Sequence, residues 1–134
     1  MKHLAALVVV VLALWSFAPA RTKPVEVPSS PVSSALSKAT AADKQRVHQF
    51  YAAVADVVER DKKLVATVGQ FRRVHANSLE AAFMGTDLPG KYVGLDAAIE
   101  AELVQAIGKD DVALTPEKRQ ALVTALKGVA SAAR

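Results

Sequence analysis

The chain is expected to fold as a small all-α domain, an antiparallel helical bundle of about four helices after an N-terminal apolar segment and a Pro/Ser-rich linker. Three observations carry this expectation. Apolar residues recur at three- and four-residue steps through most of residues 40–134, the spacing of amphipathic helices. Alanine, the strongest helix former, occurs 26 times. No stretch alternates apolar and polar residues as a half-buried strand does, and no Asn-Gly or Asp-Gly pair marks a tight hairpin.

Residues 1–20 come first. Lys2 is followed by an uncharged run from Leu4 to Ala18, then Pro19-Ala20-Arg21. A positive start, an apolar stretch and a small-x-small ending are the parts of a secretory signal peptide, with cleavage expected after Ala20. The run is 15 residues, short of the roughly 20 that span a bilayer as a helix. A competing reading keeps residues 4–20 as an uncleaved anchor, with Trp15 and Phe17 at an interface. Either reading places the domain outside the cytoplasm, secreted or periplasmic in the first case and membrane-tethered in the second.

Residues 21–34 carry Pro24, Pro28 and Pro31 among serines and valines. They are expected to form an extended, non-helical spacer. From residue 35 onward the chain reads as a helical domain. A short turn is expected at Ala35–Lys38. Thr40 and Asp43 then resemble a capping box with Asp in place of Glu, opening a helix over about 41–61 whose apolar face holds Val47, Phe50, Tyr51, Val54, Val57 and Val58. Thr67-Val-Gly-Gln70 is a capping box of the standard kind. It opens a helix bearing Phe71, Val74, Leu79 and Phe83, which Gly85 is placed to end. A third helix is expected from Leu95, stopped by Gly108. Thr115-Pro116-Glu117 caps and starts the fourth, which runs nearly to Arg134.

Composition narrows function. The whole chain has a net charge of +4, and removal of residues 1–20 leaves 114 residues at +3. That surplus is too mild to point to nucleic acid. There is no cysteine, which removes disulfides, thiol chemistry and cysteine-based metal sites. Asn77-Ser-Leu79 is not a glycosylation sequon. Beyond His3, histidine supplies only His48 and His75, too few for the three or four ligands a metal site needs. No phosphate loop, dinucleotide fingerprint or nucleophile elbow is present. No metal, cofactor or catalytic residue is therefore assigned.

His75 lies four residues from both Phe71 and Leu79 and reads as a core histidine with one hydrogen bond. Glu80 points well around the helix from it and reads as a solvated acid. The most unusual stretch is Met84–Gly94, with three glycines and one proline. Asp87, Lys91 and Tyr92 on it are binding candidates, because groups on loops of a rigid scaffold often contact partners. The same loop also reads as structural, with Leu88 and Tyr92 plugging the core. Arg72 and Arg73, with Lys62 and Lys63, form a second candidate, a basic patch for an acidic protein or an anionic surface polymer. Asp110 and Asp111 offer too few oxygens for a calcium site.

Three functions follow as expectations. The first is an exported, non-enzymatic interaction or structural module. The second is the same module tethered to the membrane through residues 4–20. The third is a small extracytoplasmic enzyme built around His75, Glu80 or Asp87.

Overall fold

The computed structural model describes residues 30–134. The expected export or anchor segment and the linker as far as Ser29 lie outside the described residues. Five helices make up the rest: α1 (Pro31–Ala35), α2 (Ala41–Arg60), α3 (Val68–Ala82), α4 (Leu95–Ile107) and α5 (Pro116–Ala132). They form a small all-helical bundle, with one isolated β-bridge among the described residues.

The first helix corrects the expected spacer. Residues 31–34 are helical because Pro31 occupies the first helical turn, where its missing N–H and fixed φ cost nothing. Ser30 caps it, its hydroxyl accepting from the Ser33 amide at 3.0 Å. A proline that ends a helix from inside starts one from its first position. Val32 and Leu36 are thereby buried at 1 % exposure each, and α1 lies against α4.

The bundle is built on α2 and α5. His48 Nδ1 lies 2.7 Å from the Ala130 carbonyl near one end, and Arg119 donates to the Val58 carbonyl at 2.9 Å near the other. Those two pairs make the helices antiparallel. Val47, Tyr51 and Val58 on α2 face Leu122, Leu126 and Val129 on α5, all within 2 % of full burial. Helix α4 covers the other side of α5 with Leu95, Ile99 and Leu103. Thr115 caps α5 through the Lys118 amide, with Pro116 at the first helical position, as the sequence predicts.

Helix α3 sits at the edge and meets α2 over a short stretch. Its first turn is the best-secured part. Thr67 and Gln70 form the expected capping box. The segment before it pairs with the α4–α5 connection, Val68 N–H donating to Val112 and Leu114 N–H to Ala66, both at 2.9 Å. Asp111 then accepts from the Gly69 amide at 2.8 Å. A β-carbon at position 69 would stand 2.6 Å from that carboxyl group, so the glycine lets Asp111 close on the helix end. Helix α3 ends at Ala82 rather than at Gly85. Thr86 secures the turn that follows: its hydroxyl donates to the Phe83 carbonyl at 2.8 Å and accepts from the Leu88 amide at 3.1 Å. Gly85, at φ 80°, completes the turn.

Replacing Asp111 with alanine is expected to remove one helix cap and lower stability by about 1 kcal/mol. Urea unfolding should show a lower midpoint with an unchanged slope, because no core residue is disturbed.

Candidate functional site

The loop from Met84 to Gly94 is fastened to the start of α2. Thr40 accepts from the Asp43 amide at 3.1 Å, which is half of the expected capping box. Aspartate is one methylene too short to complete the other half. Tyr92 completes it: its hydroxyl accepts from the Thr40 amide at 3.4 Å and donates to the Asp43 carboxylate in a short hydrogen bond. Lys91 Nζ donates to the same carboxylate oxygen at 3.2 Å. Asp43 is 8 % exposed, the one buried charged residue among those described. The Tyr92 hydroxyl, and then Lys91, hold its carboxyl below the usual aspartate range against the opposing effect of burial. Lys91 is correspondingly raised by Asp43.

Two of the candidate binding residues, Lys91 and Tyr92, are thus engaged with Asp43, Lys91 from an exposed position. Leu88 is buried and Tyr92 packs against the core, which is the structural role open to this loop in the sequence. Asp87 remains exposed at the turn. Arg72 and Arg73 point to different environments. Arg72 donates to Glu100 at 3.1 Å and to the Gly108 carbonyl at 3.3 Å, and its buried Nε has no partner among the described residues. Arg73 is exposed. The structure does not bring the five candidates into one site.

Two openings flank α3 instead. On one side is a cleft of about 360 Å³ between α2, α3 and α4, lined by Tyr51, Arg72, His75, Asp96, Ile99 and Glu100 among others. His75 stacks on Phe71, ring centroids 5.5 Å apart, and its Nε2 lies 2.9 Å from the Tyr51 hydroxyl. That is the single hydrogen bond expected of a core histidine. Burial pushes the His75 pKa down, and Arg72 acts in the same direction while Glu100 and Asp96 oppose it. Burial raises the Tyr51 phenol, with Asp96 adding to the shift. At neutral pH the pair is therefore a neutral imidazole and a neutral phenol. Among the described residues no group of three metal-ligating side chains converges.

On the other side is an apolar groove of about 420 Å³ between α2 and α3. Phe50, Val54, Val57, Val74 and Ala81 line it, and Ser78 is its one polar side chain among the described residues. Val57 is 37 % exposed there. Alanines at 53, 81 and 82 line the groove, and their methyl groups are too small to fill the space between the two helices. Sequence reasoning placed Phe50, Val54, Val57 and Val74 on core faces. The heptad-like spacing says which face of each helix is apolar but not that two such faces fail to close.

Tyr92→Phe is expected to cost about 1–3 kcal/mol, the worth of a hydrogen bond to a charged group. Asp43 then titrates closer to its ordinary value. Stability contributed by Asp43 is present above the unfolded pKa of about 3.8 and lost as pH falls through the lower folded one, so this acid loss should shrink in the variant. His75 acts in a separate window. Its folded pKa is depressed, so the unfolded chain binds more protons as pH falls below 6.5. Stability should therefore drop from pH 6.5 downward, and His75→Gln should flatten that drop in urea titrations.

Comparison with known proteins finds no matching family model, no similar curated protein and no similar solved structure.

Proposed function

We propose that this chain is an exported helical module that acts by binding a protein partner in the groove between α2 and α3. The open groove is the observation that carries the reading. A contiguous apolar surface exposed on a small domain is costly in water and typically marks an interaction site. Its lining of Phe50, Val54, Val57, Val74 and Ala81 suits the apolar side chains of a helix or extended segment laid between two helices. The cleft on the opposite flank favours binding over catalysis, because its polar groups already satisfy one another as Tyr51–His75 and Arg72–Glu100. With Arg72 so engaged, a protein partner is better supported than an anionic polymer. Export is supported by Lys2, the apolar run 4–18 and the Ala18-Pro-Ala20 ending. Membrane tethering through residues 4–20 is favoured by the 18 uncharged residues from His3 to Ala20 and by Trp15 and Phe17 among them. No helix among the described residues is long and apolar enough to cross a membrane.

A photo-crosslinking residue at position 57 in the host cell, compared with one at the exposed Glu117, tests the groove. A defined adduct at 57 and none at 117 is expected; adducts at neither position would sink the reading. The intact mass of the recovered chain answers the second question. A product beginning at Arg21 fits export and cleavage, whereas a full-length chain confined to membranes makes residues 4–20 the anchor.

A further inference from the structure

On the flank of α3 away from the apolar groove, the cleft beside His75 does not end at the helix. It continues into a hollow beneath the Met84–Gly94 loop, and the two share Ala76 and Leu79. The two hollows adjoin along α3, and taken together as a trough they reach from Glu100 on α4 to Met84 beyond the end of α3. Its floor is apolar, with Ile99 near one end, Leu79 in the middle and Phe83, Leu88 and Pro89 at the other. Met84 stands 76 % exposed at the far rim.

The charges around this floor are one-sided. Asp96 and Glu100 line one end and Glu80 the other. Among the described residues the one cation lining it is Arg72, which is paired with Glu100. His75, neutral at physiological pH, adds no positive charge. In a chain of net charge +4, the trough therefore carries a local surplus of negative charge over an apolar floor.

We propose that this trough docks a cationic amphipathic segment of a partner protein. Its apolar side chains lie on Leu79, Phe83 and Leu88, and its lysines or arginines meet Glu80 at one end and Asp96 at the other. Charge complementarity selects this occupant. An uncharged apolar segment would leave the acids at the rim without partners, and an anionic one would be repelled. Acids at both ends favour a basic segment long enough to reach both, and they steer its approach. Met84 supplies the adaptable, polarizable contact that surfaces for varied helices use. The trough lies across α3 from the groove between α2 and α3 and does not depend on it.

The test uses the full chain, labelled with nitrogen-15, and two synthetic amphipathic peptides of about five helical turns. One carries leucine and lysine, the other leucine and glutamate in the same pattern. The lysine peptide should shift the amides of Ala76, Leu79 and Met84 saturably, and the glutamate peptide should not. The double variant Glu80→Gln/Asp96→Asn should weaken the lysine peptide about three- to tenfold and reduce its salt sensitivity. Both acids are exposed, so the variant keeps its fold, and an unchanged thermal midpoint verifies this. Val57→Asp, in the other groove, should leave the titration unaltered. The proposal is overturned if the two peptides bind alike, if the double variant binds as the parent does, or if the shifts fall at Val57 and Ala81. The same amides moving with protein concentration alone would identify a second copy as the occupant and overturn it equally.

Discussion

A domain of this size has no disulfide to lean on, so its stability rests on how well helices seal against one another. The contact that does this is the antiparallel pair of α2 and α5. His48 reaching the Ala130 carbonyl and Arg119 reaching the Val58 carbonyl fix the register of the pair at opposite ends. Between them, valine and leucine side chains pack to within 2 % of full burial. Helix α4 lies on α5, and α1 in turn lies on α4. Each layer depends on the one before it.

Helix α3 stands outside this order, and the openings follow from its position. It is secured at its first turn by Thr67, Gln70 and Asp111, and along its inner side by Phe71 and by His75 against Tyr51. Past that point Phe83 packs against Phe50 of α2 at 5.3 Å between ring centroids. The result is a helix with an apolar groove on one flank and an acid-rimmed trough on the other. An all-α core of small residues can tolerate such a ledge, because alanine contributes helix propensity without filling space.

Much of the helix pattern was legible because its causes are local. Thr67 with Gln70 and Thr115 with Pro116 act within a single turn, and the apolar spacing of α2 and α5 is visible in any short window. The start of α1 was hidden by proline, which reads as a breaker unless the serine before it is recognised as the cap. The tertiary ties were not legible at all. Tyr92 meets Asp43 across 49 positions, Asp111 meets Gly69 across 42, and Tyr51 meets His75 across 24. In each case the sequence shows an ordinary polar residue on a loop or helix and contains no signal for its partner. The groove was illegible for a related reason: periodicity identifies apolar faces, whereas a gap between two faces depends on the angle at which they cross.

The fastening of Tyr92 to Thr40 and Asp43 has a further consequence for motion. Helices ordinarily fray from their ends, one residue at a time, at little free-energy cost. The first turn of α2 is denied that freedom, since opening it means releasing a loop 49 residues downstream and the lysine beside it. Conversely, the loop cannot wander without giving up the Tyr92 half of the cap on α2, the longest of the described helices. The two segments therefore open together or not at all, and the loop's position is set by the helix on which the bundle is built.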